Sequence, residues 1–127
     1  MIHAFRYKKE MDLKKEIENY AIEHKLSGVV LSAVGSLSHL TIRVADGKSI
    51  LDEDGNFEIV SVTGTLSRDG VHIHISVSDQ EGHTIGGHLK DGCIIHTTAE
   101  VVLESFDEVE FHREFDSDTG YQELVIK

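Results

Sequence analysis

A chain of 127 residues, 39% apolar and 28% charged, has the material for one buried core, and its apolar runs stop far short of a membrane span, which takes roughly 20 residues. Twelve lysines and arginines face 23 aspartates and glutamates, a net charge of −11 that repels a polyanion and argues against unaided DNA binding. The lone cysteine, Cys93, has no partner for an intrachain disulfide, and Met1–Arg6 lacks a signal-peptide core, so a reducing cytoplasmic setting is expected.

In chain order, residues 2–8 alternate as a short strand. Leu13, Ile17, Tyr20, Ala21 and His24 then fall on one stripe of a helix, with Asp12 placed to cap its start and Gly28 to end it in a left-handed turn. Lys14, Lys15, Glu18 and Glu23 fall on its opposite, solvated face. The basic cluster Lys8, Lys9, Lys14 and Lys15 is interleaved with Glu10, Asp12 and Glu16.

Beyond the helix the pattern changes to period two. Val29–Val34 reads as one strand, and Leu40, Ile42 and Val44 alternate with His39, Thr41 and Arg43 in the next. Short Ser49–Leu51, then Phe57–Leu66, Val71–Ser78, Cys93–Leu103, Val109–Phe115 and Tyr121–Ile126 bring the total to about eight strand candidates. Asp46-Gly47, Asp54-Gly55, Asp69-Gly70, Glu81-Gly82, Asp91-Gly92 and Thr119-Gly120 supply the turn signals. Asp52-Glu53-Asp54-Gly55 reads as a hairpin turn, because a calcium-loop frame would put Ile50 at the first ligand position and Ser61 at the last. One main helix on a largely antiparallel sheet makes residues 1–127 a single α+β domain.

The chemistry concentrates in Val71–Ser78. His72 and His74 share one strand face, with Cβ atoms about 6–7 Å apart, close enough for both rings to reach one ion. A turn at Asp79–Gly82 would fold residues 83–89 back and bring His88, after Gly86-Gly87, to the same face. Three neutral imidazoles with an open fourth position suit zinc, or another divalent transition metal, better than calcium or magnesium. The plainer reading makes His72, His74, Ser76 and Ser78 the wet side of a half-buried strand, and His96 or His39 competes with His88 as third ligand. His3, His24, His83 and His112 read as surface or helix-face residues, and Cys93 as core. Arg43, Glu58 and Glu100 are candidates for anion binding and proton transfer if their faces meet the histidines.

Taken together, Gly35-Ser36-Leu37, Leu40-Thr41-Ile42-Arg43, Phe57–Leu66, Val71–Asp79, Gly86-Gly87-His88-Leu89, Thr97–Val101, Phe111–Asp116 and Thr119-Gly120-Tyr121 resemble the plants-and-prokaryotes-conserved domain. The resemblance covers nearly the whole chain, and the H-x-H…G-G-H-L block is its most specific part. It implies a compact α+β fold and a homotrimer. It also implies assembly and partner binding as the domain's role in plant nuclear proteins, where a separate AT-hook holds the DNA. Prokaryotic members carry a DNA-binding label, but this chain has no proline and so no Arg-Gly-Arg-Pro core.

The domain is similar in fold to acetolactate decarboxylase and to a zinc-dependent esterase-like group in which three histidines hold zinc. By that likeness His72, His74 and His88 are the ligands. The spacing before His88 is longer than in the decarboxylase, so its catalysis is not carried over. The expectation is a homotrimeric, zinc-binding module working through a protein partner or small ligand, with no membrane role. Its rivals are a metal-dependent hydrolase or decarboxylase of a small acid, and a DNA-binding transcriptional regulator.

Overall fold

The computed structural model describes residues 1–127, arranged as β1 (Ile2–Lys8), α1 (Leu13–Glu23), β2 (Gly28–Arg43), β3 (Ile50–Ser67), β4 (Gly70–Ser78), β5 (Thr84–Leu89), β6 (Ile94–Ser105), β7 (Phe111–Asp116) and β8 (Tyr121–Ile126). The helix forms where its stripe predicts. Asp12 caps it, one carboxylate oxygen accepting from the Lys15 N–H at 3.1 Å while the other accepts from the Gly92 N–H at 2.7 Å. Leu13, Ile17 and Ala21 are fully buried. The expected ending at Gly28 is wrong. Leu26 N–H bonds to Ala21 O and Lys25 N–H to Ile22 O, a Schellman pattern with Lys25 itself left-handed at φ 50°. Leu26 and Ser27 are buried, so the chain must turn before them, and Gly28 already opens β2.

The strands are fewer breaks and longer runs than the sequence suggests. Residues 29–34 and 39–43 form one strand, β2, with a bulge between Leu37 and His39. The turn expected at Asp52–Gly55 is also corrected: these residues lie inside β3, where Thr41 pairs with Asp52, Leu40 with Glu53 and His39 with Asp54. Acidic side chains stand there because that end of the sheet is solvated, not because the chain reverses. The reversal comes at Asp46-Gly47, where Asp46 accepts from the Lys48 and Ser49 N–H groups at 2.8 Å each. Of the six glycines in the proposed turn pairs, only Gly55 lacks a positive φ.

All pairings are antiparallel in a six-stranded sheet ordered β1-β6-β2-β3-β4-β5. The far edge does not stay open, because β5 also pairs with the end of β2 through Ile42–Leu89 and Arg43–His88. Strands β2, β3, β4 and β5 thereby curl into a closed ring, and closure removes the unpaired edge that would invite aggregation. Inside lie Leu37, Leu40, Ile42, Ile73, Val77 and Leu89, none more than 1% exposed. Cys93 joins them as expected, its thiol bonded to Thr41 O at 3.2 Å and pushed up to about 11 by burial. Strands β7 and β8 form a separate hairpin.

Candidate metal centre

Strand β4 turns Ile73, Ile75 and Val77 inward, so the pleat must turn His72 and His74 outward. Their ring centroids are 4.9 Å apart and their Nε2 atoms 3.2 Å. Two imidazoles on one tetrahedral zinc at 2.0–2.1 Å would have nitrogens about 3.4 Å apart, so this spacing fits a shared ion. His88 on β5 is the register partner of His74. Its ring centroid is 5.3 Å from that of His72 and 5.8 Å from that of His74. One candidate ligand atom from each of the three lies within 4.8 Å of the others.

The glycine pair before His88 is what lets β5 sit so close. A Cβ on Gly87 would stand 2.5 Å from the Arg43 carbonyl oxygen, and one on Gly86 would strike the Ile75 carbonyl. Any side chain there would push β5 off the ring and carry His88 with it.

Two of the three rings, His72 and His88, are held in the form a metal needs. Burial, with Arg43 as the next contributor, pulls His88 down to about 4. His72 is lowered by burial first, then by His74 and Arg113, with Glu123 opposing. Both are neutral at neutral pH, so their lone pairs are free. Nδ1 of His88 is buried with no hydrogen-bond partner. A polar atom left so is costly, and the protein alone does not complete its surroundings.

The other candidates divide. Arg43 does converge, lying opposite His88 and lining the same cavity of about 460 Å³. Glu58 and Glu100 do not, so within one chain the condition for their serving as proton carriers beside the histidines is not met. Glu58 is opposite Ser78 and five residues along β3 from Thr63, the partner of His74, roughly 17 Å away at 3.3–3.4 Å per residue. It lines a different groove together with His96. Glu100 is exposed on β6 between Arg6 and Val34. His39 is also far from the triad in function: it bonds Asp54 at 2.6 Å and, very closely, Asp52. His3 is less superficial than expected, joining Tyr20 Oη at 2.7 Å to Ser105 Oγ at 2.9 Å.

Sequence reasoning misses the hairpin's contribution. Arg113 of β7 and Tyr121 and Glu123 of β8 line the cavity. Arg113 donates from Nη2 to Thr65 Oγ1 at 2.8 Å. The available signal is that Arg113 shares a strand face with Phe111, which is buried. Glu18, assigned to a solvated helix face, also lines the cavity and accepts from the Val71 N–H at 3.3 Å.

The family profile of the Plants and Prokaryotes Conserved (PCC) domain matches residues 1–107, so the β7–β8 hairpin lies beyond the matched stretch. Over 129 aligned positions the chain is 48% identical to the bifunctional protein GlmU of Synechococcus sp., covering 99% of the chain but 20% of that protein. AT-hook motif nuclear-localized protein 2 of Arabidopsis thaliana is 29% identical over 104 residues, 75% of the chain and 31% of that protein. The chain thus spans a fifth to a third of the length of these relatives.

Among solved structures, a hypothetical protein from Salmonella superposes with a TM-score of 0.94 at 30% identity, covering 100% of this chain and 93% of that one. A candidate DNA-binding protein from Bacteroides thetaiotaomicron gives 0.87 at 23%, covering 98% and 91%. A metal-containing protein from Archaeoglobus fulgidus gives 0.74 at 22%, covering 98% and 93%.

Proposed function

The chain belongs to the Plants and Prokaryotes Conserved domain family, and we propose that it is a homotrimeric cytoplasmic module that holds a divalent transition metal, zinc foremost, on His72, His74 and His88 and acts through a protein partner or a small ligand. The observation that carries the metal is the close meeting of three imidazoles on adjacent strands. Lowered pKa values on His88 and His72 favour the neutral, ligating form. The Archaeoglobus neighbour is described as metal-containing. An ion there would offer an electrophilic open coordination position.

Self-association is supported by Leu31 and Val34 on β2 and Val60 on β3, each about half exposed. A module role fits relatives in which a similar stretch is a minor part of a longer chain. DNA binding, the description of the Bacteroides neighbour, fits poorly with a net charge of −11. No helix is long and apolar enough to cross a membrane.

Metal analysis of protein purified without added metal tests the reading. About one zinc per chain is expected in the wild type, and almost none in a His72→Ala/His74→Ala double variant. Equal, negligible metal in both ends it. Sedimentation equilibrium checks the trimer, and a monomer at micromolar concentration would remove that part alone.

A further inference from the structure

Two cations share the triad's cavity, and neither is used up by an acidic partner. Arg43 makes no ion pair or side-chain hydrogen bond within the chain, and its guanidinium carbon lies 5.6 Å from the centroid of the Tyr121 ring. Arg113 has its Nη groups on Thr65 Oγ1 and, at 3.4 Å, on Gln122 O, but its Nε is buried without a partner. The chain has four arginines and a net charge of −11. Placing two of the four beside three histidines, with spare donors, is a costly arrangement unless an anion arrives there.

The charge on the walls limits which anion. Glu18, Asp69 and Glu123 oppose Arg43 and Arg113 around the cavity. Glu18 is already occupied by Lys14 and the Val71 N–H, and Asp69 by the Arg113 N–H. Lys14 cancels Glu18, so Asp69 and Glu123 stand against Arg43 and Arg113 and the walls carry no net charge. A dication on the triad turns this into two positive charges, which one or two carboxylates on a small molecule offset and a polyanion overshoots. A cavity of about 460 Å³ falls in the size range of small-molecule sites and is too small for a polymer.

From this balance, and resting on the metal reading above, we propose that the cavity binds a small hydroxycarboxylate, its carboxylate on Arg43 and Arg113 and its hydroxyl toward the histidine triad. The free carboxylate of Glu123 is placed to accept from further hydroxyls on the ligand. The β7–β8 hairpin, outside the stretch matched by the family profile, supplies half of this recognition through Arg113 and Glu123.

The test is calorimetry of the zinc-loaded protein against a panel running from glycolate to gluconate, beside the matching amides, the dicarboxylate malate and inorganic phosphate. At least one hydroxy acid, malate included, should bind tenfold or more tighter than its amide and tighter than inorganic phosphate. Arg43→Met and Arg113→Met should each weaken it by roughly tenfold to a hundredfold, the worth of a charge-assisted bond, with zinc content unchanged. Arg68→Met, whose arginine pairs with Glu110 instead, should bind as the wild type does. The acid–amide comparison needs no variant and so survives any folding defect. Zinc retained while acids bind no better than amides, or while Arg43→Met binds unaltered, overturns this inference and leaves the metal centre standing. A protein that holds no zinc ends both.

Discussion

Two groups of histidine stand on this sheet, and their neighbours set them to opposite tasks. At the β4–β5 edge, His72 and the half-buried His88 lie beside Arg43 and Arg113, and both are shifted down. On the long β2–β3 arm, His39 lies between Asp54 and Asp52, whose hydrogen bonds shift it up. The first group keeps its lone pairs and can take a cation. The second holds its proton to higher pH than a free imidazole does. Residue type alone does not make a ligand; the charge around it decides.

The largest effect is expected from breaking the geometry of the first group. Gly87→Val puts a branched side chain against the Arg43 carbonyl, so β5 must leave β2, at a cost of about 3 kcal/mol or more in denaturant unfolding. Zinc binding should be lost even under conditions where the variant is folded. A variant with wild-type stability and metal content would show that β5 is not fixed by that contact.

Changing the charge beside the triad should have a smaller effect. Arg43→Glu removes a cation that holds His88 down and adds an anion, so in metal-free protein the His88 ring should titrate above about 4, read by NMR of the imidazole resonances. It should stay below the ordinary histidine value, because burial is the larger cause. In the second group, Asp54→Asn should bring His39 down toward 6.5, since the hydrogen bond to Asp54 is the largest cause of its upward shift. No movement in either ring would mean that the contrast has another origin.

The smallest effects lie in the pH dependence of stability, where the two groups have opposite signs. His39 has a raised folded pKa, so its contribution is complete below 6.5 and fades as pH rises through the folded value. His39→Asn should therefore lower the melting temperature more at pH 6 than at pH 8.5. His88 has a folded value of about 4, below the unfolded 6.5. Its contribution in the metal-free protein is complete above 6.5 and is lost as pH falls from there toward 4. Metal-free His88→Asn should accordingly be less acid-sensitive than the metal-free wild type. Parallel pH slopes for the two variants would contradict the assignment.

Much of the fold can be read from the sequence because its strands bury one face and therefore alternate strictly, as Val71–Ser78 does. The triad is legible for the same reason, since the pleat alone puts His72 and His74 together and a short glycine-assisted return brings His88. The misread turn at Asp52–Gly55 has a physical cause: solvated strand ends and turns draw on similar residues, and only pairing with β2 tells them apart. Lys25 at the helix end defeats a glycine-based reading because burial of Leu26 and Ser27 fixes where the chain turns. Arg113 and Tyr121 escape because a hairpin's docking against a distant strand leaves no periodic trace. Glu58 and Glu100 attract attention as acids in apolar runs, yet register places them elsewhere.

Anomalous scattering measured across the zinc edge, on crystals grown without added metal, asks most directly whether the arginine-flanked histidines are the metal ligands. One peak is predicted, about 2.0–2.1 Å from a ring nitrogen of each of His72, His74 and His88. No peak there, or a peak between His39, Asp52 and Asp54 instead, would contradict it.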